Sequence, residues 1–139
     1  MIPKAEPRIE TDLFHLLEQG SLLKKKGLTD KDKETLFLTE RAEVDDLKQV
    51  KYVCLLFSAQ WCAPCHSFIQ LLKEFYAEAN LDERQCEIVY LPMDRSQQEF
   101  EDHYATMPWL SFTPGDPRIA MLKKQFHITG IPVMIVLEA

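Results

Sequence analysis

Little in this chain of 139 residues points away from the aqueous interior of a cell. No stretch approaches the roughly 20 apolar residues that a helix needs to span a bilayer. The opening residues, Met1-Ile2-Pro3-Lys4-Ala5-Glu6-Pro7, hold no apolar segment of the kind a secretory signal requires. Cysteine is scarce: four residues, unevenly spaced, are a poor basis for the disulfide framework of a small secreted domain. Basic residues number 16 against 22 acidic ones, and the formal net charge of −6 argues against nucleic acid or an anionic membrane as the main partner. The one basic cluster, Lys24-Lys25-Lys26, has no interleaved aromatic residue and reads as a solvated loop or an edge-strand guard. These absences predict a cytoplasmic protein in a reducing compartment, with neither nucleic acid nor membrane as partner.

What is present is enough to build a core. Apolar residues make up 46% of the chain and aromatics 10%, and the length suits one domain that needs no disulfide staple. Residues 1–11, with two prolines and mixed charge, read as a flexible arm, and 12–139 as a single domain. A short helix is expected around Leu13-Phe14-His15-Leu16-Leu17, stopped by Gly20, with candidate strands at Leu22-Leu23 and Leu36-Phe37-Leu38.

The most informative segment follows. Tyr52-Val53-Cys54-Leu55-Leu56-Phe57 is a continuous apolar run with the length of a strand buried on both faces. It leads to Trp61-Cys62-Ala63-Pro64-Cys65, two thiols held two residues apart at a strand-to-helix turn, the arrangement of a reversible dithiol/disulfide pair. Beyond it, Phe68, Leu71, Leu72, Phe75, Tyr76 and Ala79 recur at helical spacing and predict an apolar stripe on a helix running to about Asn80. A second buried strand is expected at Glu87-Ile88-Val89-Tyr90-Leu91. Ser96 with Glu99 forms a capping box that opens a helix to about Tyr104, stopped by Pro108. Asp116-Pro117 caps another helix, with Ile119, Leu122 and Phe126 on it, to about His127. Val133-Met134-Ile135-Val136-Leu137 is apolar throughout and is expected to be a central strand. This order predicts an α/β architecture, a mixed sheet with helices on both faces. Cys54 and Cys86, each in a strand context, are expected to be buried apolar fillers, and His15, His103 and His127 to be surface or helix-end residues.

The motifs resemble those of a known family. Phe57-Ser58-Ala59-Gln60-Trp61-Cys62-Ala63-Pro64-Cys65, Met93-Asp94-Arg95-Ser96, Met107-Pro108-Trp109-Leu110 and Phe126-His127-Ile128-Thr129-Gly130-Ile131-Pro132 resemble the tryparedoxin/nucleoredoxin branch of the thioredoxin superfamily, over about Val50 to Leu137. The resemblance implies a thioredoxin fold, protein dithiol–disulfide oxidoreduction, no bound cofactor and no metal. It implies disulfide-containing proteins as substrates, an upstream thiol reductant or reductase, and a monomer. It also implies that Trp61, Ala63, Pro64, Ile131 and Pro132 form the substrate-binding surface, with Ile131-Pro132 matching the family's cis-proline loop. Three departures stand out. His66 follows Cys65 where the family usually carries Arg or Lys, so it is a candidate modulator of thiol pKa whose charge depends on pH. Leu56 stands six residues before Cys62, where thioredoxin itself carries an acid. The sequence ends at Ala139, without the last strand and helix of the family.

A thiolate, not a thiol, attacks a disulfide, so something must acidify the nucleophile. Cys62 at a helix N-terminus would face unsatisfied backbone N–H groups and the positive end of the helix dipole. Such sites lower a cysteine pKa from about 8.5 to roughly 7 in thioredoxin-type pairs. Cys65, one turn into the helix, would keep its proton and resolve the mixed disulfide. Pro64 costs little in a first helical turn. Three rival readings use the same residues. Cys62-Ala63-Pro64-Cys65-His66 is also the C-x-x-C-H signature of covalent haem attachment, with Met93 or Met107 as a second axial ligand. A zinc site would need further ligands such as Cys54 or Cys86. A redox-sensitive binding module would grip a partner in one oxidation state with little turnover.

Overall fold

The computed structural model describes residues 22–25, 39–42, 47 and 49–138. The arm at 1–11, the helix expected around Leu13 to Leu17, the strand expected at Leu36 to Leu38 and His15 lie outside the described residues. Strands β1 (Leu22–Lys25) and β2 (Thr39–Ala42) pair antiparallel. Then follow β3 (Tyr52–Ser58), α1 (Ala63–Ala79), β4 (Cys86–Pro92), α2 (Gln97–Tyr104), β5 (Leu110–Ser111), α3 (Pro117–Gln125) and β6 (Val133–Glu138). The sheet order is β2-β1-β5-β4-β3-β6. Strand β4 runs parallel to β3 and β5, while β6 lies antiparallel to β3, so the sheet is mixed. This is the thioredoxin fold that the motifs imply.

Alternation along β3 and β4 sorts the core into two layers. Val53, Leu55 and Phe57, with Val89 and Leu91, pack on one face against Ile119 and Leu122 of α3. Cys54, Leu56, Ile88 and Tyr90 face the other way, against Ile69 and Leu72 of α1, Phe100 and Tyr104 of α2, and Met107 and Trp109. Both faces being covered, all of β4 and all of β3 beyond Tyr52 are buried. That coverage is why these strands read as unbroken apolar runs.

The helix ends follow from local chemistry. Ser96 caps α2 by accepting from the Glu99 N–H at 3.1 Å, and Glu99 Oε1 accepts from the Arg95 N–H at 2.8 Å. Asp116 caps α3 by accepting from the Arg118 N–H at 2.9 Å, and its carboxylate also receives the buried Arg118 guanidinium. Burial works to raise the Asp116 pKa, but those Arg118 contacts overrule it and hold the carboxyl below its ordinary value. Asn80 ends α1 and folds its side-chain oxygen back onto the N–H groups of Gln85 and Cys86, at 2.8 and 3.0 Å, which sets the entry to β4.

Two expectations need correction. Strand β6 is at the edge of the described sheet, paired only with β3, and Val136 is 48% exposed. An apolar run reports how well a strand is covered above and below, whereas its rank in the sheet is decided by pairing. The buried stripe of α1 is Cys65, Ile69 and Leu72, with Phe68 and Tyr76 partly buried, while Leu71 and Phe75 are 66% and 49% exposed. The helix is thus rotated toward Ile69. The two-residue β5, which starts at the last residue of the Met107 to Leu110 segment, was not expected, because two residues carry no period.

Candidate active site

The turn between β3 and α1 is built so that one sulfur reaches the surface region and the other does not. Ser58 ends β3, and Ala59 accepts from the Cys62 N–H at 3.2 Å to close the turn. Cys62 is the N-cap of α1, in extended conformation with φ −97° and ψ 104°, and makes no side-chain capping bond. Its carbonyl accepts the Cys65 N–H at 3.1 Å, so the thiol pair is bridged by the first turn of the helix, which carries Pro64. Cys62 and Cys65 are joined as a disulfide with their Cα atoms 5.3 Å apart. Cys62 keeps 6% of its surface, and Cys65 none.

Cys62 opens into a cleft of about 610 Å³, in which the predicted residues Trp61, Ala63, Pro64 and Ile131 take part, along with Met93. The Ile131–Pro132 peptide is cis, and the Ile131 carbonyl oxygen lies 3.9 Å from Cys62 Sγ. Pro132 itself does not line the cleft; it is half-buried behind Ile131. Trp61 is 46% exposed, its Nε1–H donates to the Met93 carbonyl at 3.1 Å, and the Arg95 guanidinium lies 4.6 Å from the centre of its ring. It is therefore a pinned surface plate beside the sulfur and no part of the core.

Behind the turn runs a polar network that sequence reasoning missed. The Gln60 peptide, just before Trp61, is held from both sides: its N–H donates to Asp94 Oδ1 at 2.7 Å, and its carbonyl lies 2.7 Å from His66 Nε2. Tyr90 donates its hydroxyl to Asp94 Oδ2. The His66 ring sits 5.3 Å from that of His103, whose Nε2 lies 2.8 Å from Ser58 Oγ. His103 is 1% exposed, which corrects its reading as a surface residue. Burial, with a further contribution from His66, pushes its pKa down to about 4, so it is neutral at pH 7. Burial also raises the Asp94 carboxyl, although Gln60 and Tyr90 work the other way. A period-based signal for His103 existed: with Phe100, Tyr104 and Met107 it occupies i, i+3, i+4 and i+7. Asp94 had no such signal, because it lies in a connection.

The remaining cysteines are inert here. Cys54 and Cys86 are buried free thiols; burial first, then Cys86 and Glu87, push Cys54 up to about 12, and burial raises Cys86 as well. His127 is exposed at the end of α3, with φ 55°. Among the described residues no group of three or more His, Cys, Asp or Glu is placed to hold a metal ion. Haem attachment would need both sulfurs accessible to the porphyrin, but Cys65 is fully covered; Met107 is buried between α2 and the sheet. No described helix is long and apolar enough to cross a membrane.

Residues 49–139 match the family model described as thioredoxin-like. A probable nucleoredoxin 1 of Arabidopsis thaliana is 39% identical over 87 residues, which is 63% of this chain and 15% of that protein. A tryparedoxin of Trypanosoma brucei brucei is 38% identical over 91 residues, 64% of this chain and 62% of that one. Among solved structures, tryparedoxin I from Leishmania major superposes with a TM-score of 0.71 at 30% identity, covering 92% of this chain and 80% of the other. The chain thus spans a small part of the nucleoredoxin it matches and somewhat under two thirds of the trypanosomal tryparedoxin.

Proposed function

Because this chain belongs to the thioredoxin-like family of oxidoreductases, we propose that it reduces disulfides of partner proteins through Cys62 and Cys65. The observation that carries the reading is the unequal exposure of the two sulfurs at the start of α1, with Cys62 on the cleft and Cys65 covered behind it. In the reduced protein, the Cys62 thiolate attacks one sulfur of the partner disulfide. A mixed disulfide forms, and the partner's other sulfur leaves as a thiolate that takes up a proton. Cys65 then loses its proton and attacks Cys62 Sγ. The second partner thiol leaves, the partner has gained two electrons, and the protein holds the Cys62–Cys65 disulfide. A dithiol reductant, either a small molecule or a reductase protein, returns two electrons. Cys62 is the N-cap of α1, so the positive end of the helix dipole favours its thiolate. His66, tied to the Gln60 carbonyl of the same turn, is proposed as an electrostatic modulator. Trp61, Ala63, Pro64, Ile131 and Pro132 are proposed to shape the surface that receives the partner, with the protein acting as a cytoplasmic monomer.

Cys62→Ser is expected to abolish insulin-disulfide reduction while leaving the fold intact, since serine removes the thiolate at nearly unchanged volume. Cys65→Ser should accumulate partner proteins as mixed disulfides that dithiothreitol releases; substantial turnover in Cys62→Ser would refute the assigned nucleophile. A second reading is a redox-sensitive binding module, favoured by the match of this chain to a small part of a much longer nucleoredoxin. Slow insulin reduction combined with partner capture in only one redox state would select that reading.

A further inference from the structure

The charge beside the dithiol runs against the charge of the chain. The chain carries a formal −6, yet among the described residues the only charged side chain lining the Cys62 cleft is a cation, Lys123, exposed on α3. A second cation, Arg95, lies over the Trp61 ring at the same border. The carboxylates nearest to Arg95 in sequence are engaged elsewhere: Asp94 accepts from the Gln60 N–H and the Tyr90 hydroxyl, and Glu99 accepts from the Arg95 backbone N–H. Among the described residues, neither Lys123 nor Arg95 has a carboxylate within ion-pair distance. The rest of the wall is apolar or backbone, and a side chain placed on Gly130 would meet nothing within 4 Å, so the loop before Ile131 leaves room for another chain.

We propose that this cleft selects disulfides lying in extended, acidic segments of partner proteins, with Lys123 and Arg95 receiving carboxylates that flank the reacting cystine. The inference rests on the disulfide-exchange reading above and names its substrate class. A cystine must approach Cys62 Sγ through a cleft whose charged lining, among the described residues, is the cation Lys123, with Arg95 at its border. Acidic flanks therefore gain attraction in the productive orientation. Lysine-rich flanks meet like charge at the sulfur.

The test uses the pre-reduced protein and three synthetic peptides of one sequence, each with a single disulfide flanked by glutamate, glutamine or lysine. Thiol release is followed in a single turnover at low and high salt, for wild type, Lys123→Gln and Lys123→Glu. For exposed charge pairs, wild type should favour glutamate over glutamine flanks by about two- to fivefold, with lysine slowest. The ratio should fall in Lys123→Gln, where Arg95 remains, fall to about one or below in Lys123→Glu, and shrink for wild type at high salt. Equal rates for all three peptides in wild type, or an unchanged ranking in Lys123→Glu, would overturn the inference while leaving disulfide exchange standing. Failure of wild type to reduce even the glutamine-flanked peptide would overturn the exchange reading, and the inference with it. If oxidised glutathione alone showed the Lys123 dependence while the peptides were blind to charge, the assignment of a protein segment would fall.

Discussion

His103 shows how one buried side chain writes itself into the stability of the whole chain. An unfolded histidine titrates near 6.5, whereas in the fold burial and the neighbouring His66 ring bring His103 down to about 4. As pH falls through that window, the unfolded chain takes up a proton that the folded chain refuses, so stability declines, by up to about 3 kcal/mol from this group. Above pH 6.5 the contribution is fully present. The groups that face His103 are Ser58 through its hydroxyl, Tyr90 by an edge contact at 5.5 Å, and His66. We expect His103→Gln, which can keep a bond to Ser58, to flatten the loss of stability between pH 7 and pH 4.5 relative to wild type. Urea unfolding at both pH values measures it; identical slopes in the two proteins would place the acid sensitivity elsewhere. The dithiol, by contrast, was readable residue by residue, because spacing and local order suffice to define a helix N-terminus carrying a thiol. His103 was readable only in principle, since a histidine on an apolar helix face has to be believed over its average preference for the surface.

At the scale of the element, α1 is the instructive case. Six apolar residues at helical spacing predicted a face centred on Leu71, Leu72 and Phe75, but the sheet covers the side of Cys65, Ile69 and Leu72. The sequence holds more apolar residues on this helix than one sheet face can bury, so periodicity alone leaves the rotation open. Leu72→Ala should therefore cost about 2–4 kcal/mol, and Leu71→Ala less than about 0.5 kcal/mol. Chemical denaturation of the two variants decides between the two faces, and equal costs would restore the predicted one. The caps of α2 and α3 were legible because Ser96, Glu99, Asp116 and Pro117 act within a few residues of themselves.

Across the whole molecule, the β1–β2 pair meets the rest of the described sheet at β5. Leu23 pairs with Ser111 of the two-residue β5, and the Tyr104 hydroxyl reaches the carbonyls of both Leu23 and Trp109. Strand β3, in contrast, is paired along its length on both sides. We expect Tyr104→Phe to loosen the β1–β2 pair before it loosens β3: losing about 1 kcal/mol of hydrogen bonding should speed amide exchange in β1 about fivefold under conditions where β3 amides change less. Acceleration of β1 and β3 by the same factor would mean that the β1–β2 pair opens only with global unfolding.

The sequence by itself determined the dithiol and its helix N-terminus, the two strands buried on both faces, and the caps, and its motifs carried a family resemblance that predicts the fold. The dithiol turn, the strands and the caps each depend on residues close together in the chain, where spacing is equivalent to geometry. The tertiary structure alone decided that β6 lies at an edge of the described sheet, that α1 turns Leu71 and Phe75 outward, and that His103 is buried beneath the dithiol turn. It alone brought Asp94 and His66 to the two ends of the Gln60 peptide, and Lys123 and Arg95 to the border of one cleft. Pairing partners, helix rotation and convergence of distant charges are settled by which surfaces the folded chain brings together, and no local pattern of residue types carries that information.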